Sequence, residues 1–223
     1  MIFTDYPDRE MMFLALADRI AGQLADFLRR EGRAALAVPG GTTPGPVFDT
    51  LAGVDLDWPS VAVMLTDERW VPEGDPRSNT GLVRRRLLRG KAAGAAFVPF
   101  WRSGETPEEA APALAAAVAP HLPLSVALVG MGEDGHIASL FPGGDRLAEA
   151  LAADAPPVVA MRAPGADEPR VTLTAPVLKG AMHIHILLTG PAKRAALERV
   201  QRLPVAEAPV RAILDLATVH WAE

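Results

Sequence analysis

Val126-Ala127-Leu128-Val129-Gly130-Met131-Gly132-Glu133-Asp134-Gly135-His136-Ile137-Ala138-Ser139-Leu140-Phe141-Pro142 is the stretch from which the fold is read. Four apolar residues stop abruptly at glycine. Three glycines, two carboxylates and one histidine then follow within seven residues. A short apolar run bounded by glycine reads as a buried strand, and the loop after it is chemically dense. Glycine lets backbone N–H groups approach a bound group closely, and histidine can exchange a proton near neutral pH.

Three other apolar runs end in the same way. Ala34 to Val38 leads into Pro39-Gly40-Gly41-Thr42-Thr43-Pro44. Val61 to Leu65 leads into Thr66-Asp67-Glu68-Arg69-Trp70-Val71-Pro72, and His183 to Leu188 leads into Thr189-Gly190-Pro191-Ala192-Lys193. Helical patterns lie between them. Phe13, Leu16, Ile20, Leu24 and Phe27 have the three-and-four spacing of an amphipathic helix over about Arg9 to Glu31, closed by Gly32. A short helix is expected near Pro46 to Leu51. Ser78 or Asn79 can cap another through about Arg89, and further helices are expected around Arg146 to Ala152 and from Pro191 to about Arg202. Thr106-Pro107-Glu108-Glu109 is a capping box with proline at the first helical position, and Pro112 is expected to kink the helix it starts. Pro157 to Met161 and Val171 to Leu173 are weaker strand signals, and Thr218 to Trp221 reads as the closing strand.

This alternation predicts an α/β fold: three layers, doubly wound and Rossmann-like, with a mainly parallel sheet and helices on both faces. No repeat, low-complexity tract or linker divides the chain, so residues 1–223 are read as a single domain. Ligands of such sheets bind at the carboxyl ends of the strands, where all four reactive loops fall.

Composition narrows the function. The 223 residues are 49% hydrophobic, enough to bury a core, and the formal charge of −5 argues against a nucleic-acid partner. The absence of cysteine excludes disulfides and thiolate metal sites and fits a reducing compartment. The first ten residues lack the basic start of a signal peptide, and no apolar stretch is long enough to span a bilayer. A cytoplasmic protein without a membrane partner is expected.

Each loop has a chemistry. Gly40-Gly41-Thr42-Thr43, before a helix, offers backbone N–H groups and two hydroxyls to a phosphate, without the lysine of a Walker loop or the third glycine of a dinucleotide fingerprint. Lys193, at a helix start where a cation is disfavoured, is placed to face an anion. Asp67 and Arg69 follow a buried strand directly; an arginine there can bind an anionic substrate. His136 follows Asp134 by two residues, and a carboxylate near a histidine fixes its tautomer for general-base work. His183 and His185 share a strand face but lack a third ligand, so they read as packing residues rather than a metal site.

Together, Pro39 to Pro44, Asp67 to Pro72 with Ser78-Asn79, Gly130 to Pro142 and Gly190 to Lys193 resemble the ordered motifs of the 6-phosphogluconolactonases, over about Ala34 to Trp221. The related glucosamine-6-phosphate deaminases share the Asp-Gly-His core but carry Phe-Asn-Glu-Pro where this chain has Ser139-Leu140-Phe141-Pro142. Pro39 stands where serine is common in the family, and Ile137 where threonine is usual.

The resemblance implies hydrolysis of a phosphorylated sugar lactone without a metal or organic cofactor, by a protein expected to be a monomer. It implies His136 as base, with Asp134, Asp67 and Arg69 in the catalytic set. Phosphate would meet Gly40, Gly41, Thr42 and Lys193, with Arg170 as a further candidate by the same resemblance, and Asn79 would meet sugar hydroxyls. Either loop N–H groups or Arg69 can supply the oxyanion donor. An amino-sugar-phosphate deaminase and a non-catalytic sugar-phosphate sensor are the alternatives. A regulator of the second kind should carry a helix-turn-helix, and the residues before Ala34 hold only one good helix.

Overall fold

The computed structural model describes residues 1–223. Its strands are β1 (Ile2–Asp5), β2 (Ala34–Val38), β3 (Val61–Leu65), β4 (Asp67–Arg69), β5 (Ala96–Val98), β6 (Val126–Gly130), β7 (Val158–Met161), β8 (Arg170–Leu173), β9 (His183–Thr189) and β10 (Thr218–Ala222). The helices are α1 (Arg9–Glu31), α2 (Gly45–Leu51), α3 (Asn79–Arg86), α4 (Pro107–Val118), α5 (Leu147–Leu151), α6 (Ala175–Lys179), α7 (Pro191–Val200) and α8 (Arg211–Leu214).

Seven strands form one wholly parallel sheet in the order β1-β10-β9-β6-β2-β3-β5. All of β2 and β3 is buried, as is β6 up to Val129, which is why these strands read as continuous apolar runs rather than alternating ones. From β2 the chain moves outward through β3 to β5, then returns to the other side of β2 at β6. The direction of winding therefore reverses between β2 and β6. That reversal parts the loops after the two strands and opens a crevice at their carboxyl ends.

Local chemistry fixes the helices. The Asp8 carboxylate caps α1 by accepting from Met11 N at 2.8 Å. Gly32, at φ +70°, ends it by donating to the Leu28 carbonyl. Met12, Leu16, Ile20 and Leu24 on its inner face are completely buried in a contiguous core of 61 residues. Both halves of the Thr106–Glu109 capping box form at the start of α4, which continues past Pro112. Two helices stop earlier than the sequence implies, α3 at Arg86 and α7 at Val200.

Two expectations change, and one strand was not expected. Asp67–Arg69, read as a loop, is a strand. It joins the 157–161 and 171–173 segments in a separate antiparallel sheet, ordered β4-β8-β7. The physical reason is length. Only residues 162–169 connect β7 to β8, too few for the crossover that parallel pairing demands. β1, which has no distinctive pattern, pairs with β10 at the sheet edge through Ile2 opposite Thr218.

His185 and His183 take packing positions. Gln23 Oε1 accepts from His185 Nε2 at 2.8 Å, which leaves His185 Nδ1 to accept from His220 Nε2 at 3.0 Å. The Tyr6 hydroxyl, 2.8 Å from His220 Nδ1, completes a one-directional chain. Burial, the largest cause, lowers the pKa of His185 to about 3 and that of His220 to about 4. His183 lies edge-on to Phe27. No helix is long and apolar enough to cross a membrane.

Candidate active site

The crevice is a cleft of about 320 Å³. It is lined by Gly40 and Gly41 after β2, Asp67 and Arg69 of β4, Asn79 of α3 and His136 after β6. Arg170 of β8 and Lys193 of α7 complete its polar wall. A smaller recess of about 130 Å³ shares Gly40, Gly41 and Lys193 and adds Thr43. Eight of the ten residues singled out from sequence therefore converge on one surface. Asp134 stands behind the histidine instead. Thr42 is exposed and is not among the residues lining the cleft, whereas its neighbour Thr43 lines the recess. A turn of two glycines does not reveal in sequence which hydroxyl faces inward.

His136 Nδ1 lies 2.6 Å from Asp134 Oδ1, and the same oxygen accepts from His136 N at 3.1 Å. A carboxylate on Nδ1 selects the tautomer with its proton there and leaves the Nε2 lone pair free. Phe141 packs against the ring, with centroids 4.5 Å apart. Gly132 makes the arrangement possible, because a Cβ there would fall 2.1 Å from His136 Nδ1 and 2.3 Å from Asp134 Oδ1. Its N–H is used within the loop, donating to His136 O at 2.9 Å. Ala138, at φ +49°, holds a conformation that non-glycine residues rarely adopt, and it too lines the cleft.

Asp67 and Glu68 divide their duties. Asp67 accepts from the Thr66 and Ser139 hydroxyls, at 3.1 and 2.7 Å, so both carboxylate oxygens are occupied. Glu68 is 0% exposed and does not line the cleft. Its oxygens accept from Arg69 N at 2.8 Å, Asn79 N at 2.8 Å, Thr80 N at 2.7 Å and the Ser78 hydroxyl at 3.2 Å. Burial raises its pKa, and the Thr80 and Asn79 N–H groups oppose that rise.

The cations are short of partners. Arg69 and Arg170 face each other in the β4–β8 register, and each has a buried Nε without a hydrogen bond. Arg69 donates to the Arg77 carbonyl at 2.6 Å, and the nearest carboxylate to Arg170 is Glu168 at 3.7 Å. Burial first, then the charge of Arg69, lowers the pKa of Arg170, though a guanidinium stays charged at neutral pH. Lys193 Nζ donates only to the neutral Met131 carbonyl, at 2.8 Å. The N–H groups of Gly40, Gly41, Thr42 and Thr43 make no backbone hydrogen bond. Half-buried like charges set opposite one another, beside a run of free donors, form a site prepared for an anion.

Among known proteins, residues 7–221 match the family model described as glucosamine-6-phosphate isomerases/6-phosphogluconolactonase. A 6-phosphogluconolactonase of Rhizobium meliloti is 44% identical over 216 residues, 93% of each chain. One of Caulobacter vibrioides is 43% identical, covering 98% of this chain and 96% of the relative. The crystal structure of a 6-phosphogluconolactonase from Shewanella baltica superposes with a TM-score of 0.96 at 31% identity, over 100% of this chain and 98% of that one.

Proposed function

Because the chain belongs to the glucosamine-6-phosphate isomerase/6-phosphogluconolactonase family, we propose that it hydrolyses 6-phospho-D-glucono-1,5-lactone to 6-phospho-D-gluconate, the second step of the oxidative pentose phosphate pathway. The observation that carries this reading is the His136–Asp134 pair, at 2.6 Å, facing a cleft whose other wall is cationic and rich in free N–H groups.

In the proposed reaction His136 Nε2 takes a proton from water as the water oxygen bonds to the lactone carbonyl carbon. Asp134 keeps the imidazole in the required tautomer and balances its positive charge. The carbonyl oxygen becomes an oxyanion. With the Gly132 N–H already used, Arg69 is assigned as its donor. The carbonyl then reforms, the bond to the ring oxygen breaks, and His136 returns its proton to that oxygen. Asp67, each of whose oxygens accepts from a hydroxyl, is given no proton-transfer role in this scheme. It supplies negative charge near Arg170.

The phosphate is assigned to Gly40, Gly41, Thr43 and Lys193, with Arg170 facing it, and Asn79 to the sugar ring. Fixing the phosphate at a distance holds the carbonyl for attack. The reading treats residues 1–223 as one sugar-phosphate-binding unit, in keeping with its contiguous core.

The test is turnover of freshly generated lactone above its spontaneous hydrolysis, with glucosamine 6-phosphate in parallel. Lactone consumption is expected, and it should fall by about 10³-fold or more in His136→Ala, as removal of a general base together with its partner's function implies. Ammonia release without lactone turnover would overturn the reading.

A further inference from the structure

We propose that Glu68 is a positioning residue for this reaction: its buried carboxylate clasps β4 to the first turn of α3 and so sets Arg69 and Asn79 in the wall of the cleft. The inference rests on the lactonase reading and adds a residue that neither touches the cleft nor exchanges a proton there.

Three features of the geometry carry it. First, Glu68 has no cationic partner. Its side chain contacts only donors, and three of them are backbone N–H groups from two separate elements, Arg69 on β4 and Asn79 and Thr80 on α3. A buried carboxylate is kept in such a place when its removal would leave several N–H groups stranded. Second, the residues it joins are separated by a loop, 70–78, that contains Pro72, Gly74 and Pro76. The loop carries its own turns, with Asp75 N donating to the Pro72 carbonyl at 2.9 Å and Ser78 N to the Asp75 carbonyl at 3.0 Å, and Glu68 is the side chain that bonds directly to the backbone at both of its ends. Third, the clasp is reciprocal. While Glu68 accepts from the Asn79 backbone, Asn79 Nδ2 donates to the Asp67 carbonyl at 2.9 Å.

The position of Asn79 also governs the glycine loop. Its side-chain amide lies against Gly40 so closely that a Cβ there would come within 1.8 Å of Asn79 Oδ1. One buried acid thus sets the spacing of Arg69, Asn79 and, through Asn79, Gly40. Misplacement of such groups by about 1 Å is enough to cost on the order of 10²-fold in rate.

Glu68→Gln tests this. The amide keeps the shape but turns an NH₂ toward N–H donors, so the clasp opens. Lactone turnover per folded molecule, measured as kcat/KM, should fall about 10²-fold. Asn79→Ala should also lose activity, and the double variant should lose little more than the worse single variant, because both act through one element.

Loss within about threefold in Glu68→Gln, wild-type rates in Asn79→Ala, or losses that multiply in the double variant would each overturn the inference while leaving the lactonase reading intact. A wild-type protein without lactone turnover would overturn both. If Glu68→Gln does not fold, Ser78→Ala, which removes the weakest of the four donors, takes its place in the same cycle. It is expected to lose about fivefold without multiplying, and multiplying losses there overturn the inference equally.

Discussion

Two clefts of nearly equal size open at opposite ends of the parallel sheet, about 320 Å³ at the carboxyl ends and about 290 Å³ at the amino ends. Phe27, Arg33, Ala62, His121 and Met182 are among the residues lining the second. Three of its polar side chains are already engaged. Arg33 donates to the Pro120 carbonyl at 3.1 Å, the Ser125 hydroxyl accepts from Ala35 N at 3.0 Å, and Ser60 donates to Asp57 at 2.7 Å. At the carboxyl end two guanidinium Nε atoms, one ammonium and four consecutive N–H groups have few protein partners or none. Volume does not separate the two ends. A cluster of cationic groups and free backbone N–H donors does, and it is what an anionic ligand can use.

The comparison breaks most directly at Gly132. Gly132→Ala pushes a methyl group into the His136–Asp134 pair, and kcat for the lactone should fall about 10²–10³-fold, measured against spontaneous hydrolysis. Retention of full activity would show that the pair does not need its present geometry. Next in size is Lys193→Ala. It should raise KM for the phosphorylated lactone about 10–100-fold and leave an unphosphorylated lactone nearly unaffected, since one charge-assisted contact to phosphate is lost. An equal effect on both substrates would remove Lys193 from the phosphate end.

A third measurement separates histidines by what their nitrogens do. His185 and His220 are held neutral, with pKa values lowered to about 3 and about 4. Below the unfolded-state value near 6.5, the unfolded chain binds protons that the folded one refuses, so stability must fall as pH drops from about 6.5 toward 4. Between pH 7 and 5 the loss should be about 1–2 kcal/mol for each histidine, visible as a fall in Tm of several degrees. A Tm that stays flat or rises across that window would contradict the neutral chain from Tyr6 to Gln23. The smallest effect belongs to the amino-end cleft. His121→Ala should leave kcat/KM within about twofold, and a larger loss would mean that the two ends are coupled.

The parts of the molecule legible in sequence are those governed by local rules. The apolar runs of β2, β3, β6 and β9 are legible because strands buried on both faces cannot carry polar residues. The glycine that ends α1 and the capping box that begins α4 satisfy backbone groups within one turn, so they can be read within a few residues. The motifs at the strand ends gather eight of the ten chosen residues on one wall because a doubly wound sheet brings its carboxyl ends together.

What sequence conceals depends on distant partners. In Asp67-Glu68-Arg69 nothing local distinguishes the residue that lines the cleft from the one that is wholly buried. That division follows from β4 pairing with β8 and from the N–H groups of α3 above Glu68. Phe141 reads as an ordinary apolar residue until the turn through Ala138 brings it against His136. Ser139 reads as part of a motif, yet its hydroxyl fixes Asp67, seventy-two positions away.

Trp221 carries a consequence for how the protein is made. Its indole N–H donates to the Gly190 carbonyl at 2.9 Å, while Gly190 N donates to Ala222 O at 2.8 Å, so the turn that carries Lys193 is braced by β10. β1 also waits for β10, its only neighbour in the sheet. During translation β1 is therefore made long before the strand it pairs with. The turn that carries Lys193 gains this brace only once residues near position 221 have left the ribosome. A nascent chain halted before them would hold the histidine, the arginines and the glycine loops, with the turn before its lysine unbraced.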